Sequence, residues 1–333
     1  MSLIDVLIGL LPKLSIVYFF IIIGIIWRFS NFYDPKHGKI VTRIILWVFF
    51  PISIIGSYGS IETFIGNEVL IVILIALIAH FTSFFTIFLM NRRTEEKNQG
   101  ENGALALCAT FPNALLFPFP IILAIVGDNG LIYAAIFVFI AMVLRNTFGV
   151  ILGIIYDPMK NNQEKGQENQ NMQIIKRNII NLLKFPPFLA LFIGMFIYLM
   201  FGPESINAIP GFDIFKTISL YGSLLLIGVS FQEFSQLHPK NILSAEIGKV
   251  SSTRFLVAPL VVISFLIPLA TSSGMAIALM IQSMAPPAIS NVLYAQYFNL
   301  DESKISLVVT FVTLLALIVL PFELFILLWL FPV

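Results

Sequence analysis

The sequence predicts an all-α integral membrane protein with ten transmembrane helices, arranged as two inverted five-helix repeats. The first observation is composition, with 58% hydrophobic and 11% charged residues and a mean hydropathy of +0.95. Soluble domains carry about 25% charged residues, so this chain belongs in lipid. The second is a series of ten membrane-length hydrophobic runs, and the third is the interruption of two of them by prolines.

Each of the ten runs is near the roughly 20 residues that a helix needs to span a bilayer. They cover approximately 5–27, 40–58, 68–90, 103–126, 130–155, 185–202, 214–231, 246–269, 274–297 and 305–331. The N-terminus has no basic region of a signal peptide, so we interpret the first run as a retained helix.

Basic residues alternate with acidic ones from loop to loop, which predicts the orientation. The basic loops contain Arg28, Lys36, Lys39, Arg92, Arg93, Lys97, Lys160, Lys165, Lys176, Arg177, Lys184, Lys240, Lys249 and Lys304. The loops between them contain Glu62, Glu68, Asp128, Glu204 and Asp213. We therefore expect a multi-pass protein of the cell membrane with the basic loops in the cytoplasm and both termini outside.

The chain divides at a polar segment after the fifth run. Residues 157–173 are rich in Asn, Gln, Glu and Lys, which predicts a flexible cytoplasmic linker. It separates a first repeat, 1–156, from a second, 174–333. Five helices per repeat make the second inverted, and the proline-interrupted run is the fourth in each, which is typical of secondary transporters.

Prolines break the fourth and ninth runs, at TFPNALLFPFPI and SMAPPAISN. Proline has no backbone N–H, so Pro112, Pro118 and Pro120 leave the carbonyls of Cys108, Ala114 and Leu116 without helical donors. In lipid such a break survives only inside protein or against a water-filled cavity. Plain kinks in a packed interior are the alternative.

The breaks predict a binding site near mid-membrane. Half-helices beginning after Pro120 and Pro287 would point two N-termini at one place, which suits an anion. The substrate-binding candidates are Asn113, Pro118, Pro120, Ile121, Pro286, Pro287, Ala288, Ser290 and Asn291. Freed carbonyls suit a cation, and the ion-coupling candidates are Thr110, His80, Gln282 and Ser283.

The depth of an ionisable residue within its run indicates whether its side chain can reach the headgroups. Arg145 lies about 22 Å from the outer end of its helix, near the inner interface, and we expect it to snorkel to headgroups, as do Lys13 and Glu323. His80 lies about 17 Å deep, where we favour a neutral histidine bonded to a neighbouring helix over a proton relay. No carboxylate falls at mid-depth, which disfavours a proton pump built on one. Sodium coupling, proton coupling and uncoupled transport stay open.

Several motifs together resemble the auxin efflux carrier family, which includes plant auxin exporters and bacterial malonate permeases. They are Asn113, Pro118, Pro120 and Gly127, the stretches LLKFPPFLALFIGMFIY and MAPPAISNVLYAQYF, and VTFVTLLALIVLPF. Pro118 stands where the family has glycine. The resemblance implies a fold shared with bile-acid symporters, a scaffold of the first, second, sixth and seventh helices, a mobile transport domain, and a possible homodimer through the scaffold.

The predicted function is a secondary transporter of a small organic carboxylate, with efflux the expected direction. The net charge of +1 argues against a nucleic-acid partner, and the single Cys108 excludes an intrachain disulfide and a cysteine-clustered metal site. We expect substrate and lipids as partners, no cofactor beyond a coupling Na⁺ or H⁺, and no enzyme activity. A non-transporting receptor or scaffold of the same fold remains the alternative; a channel, an intramembrane enzyme and an ATP-driven pump lack the necessary motifs.

Overall fold

The computed structural model describes residues 3–60, 66–92, 99–159, 183–230, 244–269 and 271–332, together with 173, 176, 177 and 179–181. Within these residues the fold is all-helical, with no strand and one isolated backbone bridge. This confirms the predicted all-α class. Residues 160–172, most of the predicted linker, lie outside the described residues, and the division into repeats at 156 and 174 stays a prediction.

The helices share a high content of apolar residues and several begin at a polar cap. Their bounds are α1 Leu3–Phe29, α2 Pro35–Ser60, α3 Gly66–Asn91, α4 Gln99–Thr110, α5 Pro118–Ile125, α6 Asp128–Tyr156, α7 Pro186–Phe201, α8 Pro203–Asn207, α9 Phe212–Val229, α10 Ala245–Leu266, α11 Ser273–Ser283, α12 Asn291–Tyr297 and α13 Glu302–Leu330. The side chains of Asp34, Ser244, Ser272 and Asp301 accept from backbone N–H groups in the first turns of α2, α10, α11 and α13. Such caps satisfy donors that a helix start leaves free.

Seven helices in the described part of the chain are long and apolar enough to cross a membrane. They are α1, α2, α3, α6, α9, α10 and α13, and α7 and α11 are shorter apolar helices. Many large apolar side chains are exposed on their outer faces, for example Leu199 and Phe201 on α7 and Leu260 on α10. Lipid is the solvent that makes this surface stable, so the protein is a multi-pass membrane protein.

Both proline-containing runs are interrupted, although the bounds of the half-helices differ from the prediction. The fourth run is divided into α4 and α5, and α5 begins at Pro118 rather than after Pro120, because proline fits the first turn of a helix. The ninth run is divided into α11 and α12, and α12 begins at Asn291 rather than directly after Pro287. The intervening residues 111–117 and 284–290 are turns and extended backbone.

Helix packing separates two groups. The most extensive packing in the first is between α1 and α9 and between α2 and both α7 and α9, and the second contains α3, α4, α5, α6, α10, α11, α12 and α13. Packing of α9 on α5, of α1 on α13 and of α2 on α6 joins the two groups. The first group contains the four runs for which the resemblance implies a scaffold. Between α1 and α9 the backbones nearly touch: a Cβ on Gly24 would lie 2.1 Å from the carbonyl oxygen of Leu225, and one on Gly228 would lie 2.1 Å from that of Ile21.

In the described part of the chain, three long helices contain a π-helical turn, at Ile45–Phe49 in α2, Arg145–Gly149 in α6 and Thr253–Val257 in α10. A π turn inserts one extra residue into the helix and often occurs at functional sites. Two of the three carry an arginine within a membrane-length helix. These two arginines lead to the site.

Candidate functional site at the crossing of two interrupted helices

The two breaks meet through their backbones. The N–H of Asn113 donates to the carbonyl oxygen of Pro286 at 2.7 Å, and the N–H of Ala288 donates to that of Phe111 at 3.0 Å. These bonds form an antiparallel bridge between Pro112 and Pro287. Proline has no N–H, so the bridge uses the donors on the neighbouring residues. Each break thus supplies partners for the other, which allows non-helical backbone deep inside the protein.

The bridge changes what the half-helix N-termini offer. A half-helix that begins directly after Pro287, as we expected, would leave its first N–H groups free, but the Ala288 N–H is used by the bridge and α12 starts only at Asn291. The buried Asn291 side chain instead donates through Nδ2 to the carbonyl oxygens of Leu107 and Phe111, each at 3.1 Å. It therefore ties the start of α12 to the end of α4.

Arg145 of α6 reaches the crossing. Its Nη2 donates to the carbonyl oxygen of Pro112 at 2.7 Å and its Nη1 to the hydroxyl of Ser290 at 2.7 Å. The expectation that this residue snorkels to headgroups is wrong. A helical side chain leans toward the N-terminus of its helix, which for Arg145 is toward the crossing. The guanidinium therefore contacts both breaks.

Arg254 of α10 reaches the crossing as well, and it is 1% exposed. Its Nε donates to the carbonyl oxygen of Ala285 at 2.8 Å, and its Nη1 lies 3.4 Å from the carbonyl oxygen of Ala109 and 3.5 Å from the hydroxyl of Ser83. We expected the freed carbonyls to suit a cation. The structure instead places a guanidinium of the chain itself at the carbonyls of Ala109 and Ala285, beside the breaks.

Neither guanidinium has a salt bridge to a carboxylate in the described residues, where the ion pairs involve Lys216 and Lys304. A buried charge is costly unless it is paired. Arg145 also keeps a buried Nε without a described partner. Since a guanidinium has five donors and Arg145 uses two, it retains both charge and donors for an anionic ligand.

A cavity of about 130 Å³ lies against this arginine. A water molecule occupies about 30 Å³ in the liquid, so the volume suits about four waters or one small organic acid. Its polar walls come from Asn113, Arg145 and Ser290. The rest is aliphatic: Ala114, Leu115, Leu116, Val138, Ala141, Met142, Ala288 and Ile289.

A second cavity, of about 280 Å³, begins one residue further along α6. Asn146, Arg177 and Tyr294 are among its lining residues, and the Tyr294 hydroxyl donates to Asn146 Oδ1 at 3.1 Å. This cavity lies on the side where α6 ends at Tyr156 and α12 at Tyr297. It is therefore on the side predicted to be cytoplasmic.

The opposite end of the molecule is tied together by polar contacts. At the start of α6, Asp128 Oδ2 accepts from Lys216 Nζ of α9 at 2.6 Å and from the Ser60 hydroxyl of α2 at 2.9 Å. Lys13 of α1 donates to the carbonyl oxygen of Ile125 at the end of α5, at 2.7 Å, so its expected snorkelling to headgroups is also corrected. These contacts join the two packing groups.

The family follows from a comparison over nearly the whole length. A family model described as membrane transport protein matches residues 10–324 of the 333 residues. The chain belongs to this family. It is the family of the auxin efflux carriers, so the resemblance drawn from the sequence is confirmed. A comparison with curated proteins finds no match. The family is one of transporters rather than enzymes.

The substrate-binding candidates of the transporter divide into three places. Asn113, Ala288 and Ser290 line the cavity beside Arg145. Pro286, Pro287 and Asn291 belong to the crossing itself. Pro118, Pro120 and Ile121 are buried in the first turn of α5 and are not among the cavity-lining residues. Their role in binding stays a prediction.

The ion-coupling candidates are all buried. Thr110 Oγ1 and Gln282 Oε1 have no hydrogen-bond partner among the described residues. The Ser283 hydroxyl donates to the Met280 carbonyl of its own helix at 2.7 Å. Because these polar atoms are enclosed near the crossing, bridging water would satisfy them. Their part in coupling stays a prediction.

His80 is bonded to its own helix and not, as we expected, to a neighbouring one. Its Nδ1 lies 2.7 Å from the carbonyl oxygen of Ala76. A carbonyl only accepts, so Nδ1 donates and carries a proton, which leaves Nε2 as an acceptor in the neutral ring. Nε2 has no described partner, and the rings of Phe111 and Phe137 lie beside it. This surrounding suits a packed neutral histidine.

Sequence reasoning missed Arg254 entirely and misplaced Arg145. Arg254 stands ten positions inside a helix that is apolar on average, and such a residue is functional by default. The local stretch SSTR, with small polar residues before the arginine, was the available signal. Glu323, which we expected to snorkel to headgroups, has a buried Oε1 with no described partner and does not line the cavity.

Proposed function

We propose that the protein is a secondary transporter that exports a small organic carboxylate by alternating access around the crossing. The observation that carries the proposal is the Arg145 guanidinium, which has no described carboxylate partner and faces a cavity of about 130 Å³ between the two broken helices. A carboxylate would neutralise this charge and accept charge-assisted hydrogen bonds from it. The anion site predicted from helix ends thus gains a fixed positive charge.

The substrate is a small aliphatic acid. Among the described residues, the cavity walls contain no aromatic side chain on which an indole or phenyl ring would stack. Asn113 and Ser290 offer hydrogen bonds beside Arg145, and leucine, valine and methionine side chains offer a short apolar wall. Acids larger than this volume require the walls to move.

The conformation favours loading from the cytoplasm. The second cavity, with Arg177 among its lining residues, lies toward the basic loops, and its lining residue Asn146 is next to Arg145 in the sequence. The opposite end is held by Asp128, Lys216 and Lys13. Membrane potential drives an anion outward with about 2.3 kcal/mol per charge per 100 mV, so export needs no further source of energy.

Transport moves one packing group against the other. The group of α1, α2, α7 and α9 serves as a scaffold, and the group that contains both broken helices carries the site. The proposal also includes ten spans in two inverted repeats, with both termini outside. It includes a homodimer that forms through the scaffold. It is supported by the position of the breaks in corresponding runs and by the packing of the two groups.

The test is uptake by proteoliposomes of labelled acids, from short monocarboxylates and dicarboxylates to indole acetate. Sodium gradients, proton gradients and voltage are imposed separately, with Asn113→Ala beside the wild type. Saturable flux of a short acid, reduced in the variant, supports the proposal. Binding without flux of any acid supports the receptor alternative, and flux that the substitution leaves unchanged moves the site away from the crossing.

A further inference from the structure

We infer that Arg254 is a built-in cation at the crossing, and that its guanidinium takes the position at the Ala109 and Ala285 carbonyls where a coupling metal cation would otherwise bind. In this role it is a positioning residue that acts through the broken helices rather than on the substrate. The inference also predicts that flux does not depend on sodium, and this part of it rests on the proposed function. It leaves Arg145 as the guanidinium available to the carried anion.

The position of Arg254 is one where negative potential collects. Ala109 lies in the last turn of α4, and Ala285 follows the end of α11 by two residues. The C-terminal end of a helix carries partial negative charge and free carbonyls. Two such ends converge on one buried guanidinium, which donates to Ala285 at 2.8 Å and lies 3.4 Å from the Ala109 oxygen.

The third neighbour adds a hydroxyl to this oxygen cage, which lies at Nε and Nη1 and leaves Nη2 without a described partner. Ser83 of α3 places its hydroxyl 3.5 Å from Nη1 of Arg254. Carbonyl and hydroxyl oxygens from three separate elements are the ligand set that hard cations such as Na⁺ prefer. With the guanidinium among these oxygens, a metal ion at the same place would meet both a steric clash and like-charge repulsion.

The surroundings of the two arginines indicate different roles. Arg145 lines the cavity of about 130 Å³, whereas Arg254 is 1% exposed and is not among the residues that line it. Both lie in π-helical turns, and each guanidinium contacts a break. Arg254 therefore fixes the geometry of the crossing while Arg145 is open to a ligand.

The experiment compares purified full-length wild type, Arg254→Ala and, as a matched control, Arg43→Ala, whose arginine is exposed on α2. Tm is measured in choline, sodium and guanidinium chlorides at equal, millimolar concentration. We expect the Tm of the wild type and of the control not to depend on which cation is present. Arg254→Ala should melt lower and should regain stability saturably in guanidinium, because the free ion refills the cage.

Flux in proteoliposomes is the second readout. The wild type should carry acid equally in sodium and choline, and Arg254→Ala should lose about tenfold of the flux and recover part of it in guanidinium. If the Tm or the flux of the wild type depends saturably on sodium, the inference is overturned. This test needs only the wild type, so it remains decisive even if the variant does not fold. A folded variant indifferent to guanidinium also overturns it. Guanidinium rescue of Tm without flux of any acid retains Arg254 in its role and refutes the proposed transport.

Discussion

Arg145 donates to the carbonyl oxygen of Pro112 over 2.7 Å, which joins the middle of one long helix to the break in its neighbour. The same guanidinium donates to Ser290 at the break in the other interrupted helix. One side chain therefore forms hydrogen bonds with both halves of the crossing. An anion that binds it is held where the two breaks meet, and the following predictions depend on that relationship.

Removing the hydroxyl of Ser290 should weaken substrate binding more than it changes folding. In Ser290→Ala the Nη1 of Arg145 loses its acceptor, so the guanidinium is less firmly oriented toward the cavity. One hydrogen bond to a charged group is worth about 1.5–3 kcal/mol, which predicts a rise in KM of roughly tenfold or more. Concentration-dependent uptake measures it. Ser290→Thr keeps the hydroxyl and should stay near wild type; equal KM values for all three would contradict the assignment.

Cavity size should determine which acids are carried. Met142 lines the cavity beside Arg145, and Met142→Ala enlarges it without touching a charged group. We expect longer acids to compete better against the wild-type substrate in a flux-competition assay. Met90→Ala, on the exposed part of α3, serves as the control and should leave the order of preference unchanged. An unchanged order in Met142→Ala as well would show that this cavity does not select the substrate.

The contact of Lys216 with Asp128 should hold the outer end closed. Lys216→Met breaks the 2.6 Å ion pair between α9 and α6, and the outward-open state should become more populated. An Asn113→Cys reporter in a Cys108→Ser background, labelled by an impermeant thiol reagent from each side, measures this. Asp213 lies 3.8 Å from Lys216 with its side chain 98% exposed, so Asp213→Asn is a matched control that should change little.

Two results for the Lys216 variants decide whether this ion pair acts as a gate. If Lys216→Met leaves the labelling from both sides as it was, the pair is not a gate. If the swap of Asp128→Lys with Lys216→Asp restores the labelling of the parent, the charge pairing itself is responsible.

The near contact of Gly24 and Gly228 should make the scaffold intolerant of a methyl group. Gly228→Ala would place Cβ 2.1 Å from the Ile21 carbonyl oxygen and 2.7 Å from the Ile25 nitrogen, so α1 and α9 must separate. Overpacking of this kind costs about 1–3 kcal/mol, which a lower Tm in detergent would report. Gly9→Ala meets nothing within 4 Å and is the control. Equal Tm values for the two variants would refute the close packing of these helices.

The sequence predicted the helical class and the interruption of two runs because both follow from local chemistry. Hydrophobic length defines a span, and Pro112 and Pro287 each remove a backbone N–H from the run in which they lie. The depth of Arg145 along its helix gives the position of its Cα but not of its guanidinium. The guanidinium extends back toward the helix N-terminus and so returns to the crossing.

The partners of each freed backbone group depended on the other half of the chain. Asn291 bonds to carbonyls that are 180 and 184 positions away, and Arg254 bonds to one 145 positions away. No pattern in a window of 20 residues contains such pairs. The sequence therefore predicted that the breaks leave carbonyls without helical donors, whereas only the tertiary structure shows which carbonyls beside the breaks accept from the guanidiniums and the amide.

The most direct measurement is uptake of the preferred short acid by proteoliposomes that contain wild type, Arg145→Lys or Arg145→Gln, at matched amounts of folded protein. Loss of the charge removes the anion's partner, so Arg145→Gln should reduce kcat/KM by roughly tenfold to a hundredfold, whereas Arg145→Lys should retain part of it. A similar kcat/KM for Arg145→Gln and the wild type would contradict the anion site at the crossing.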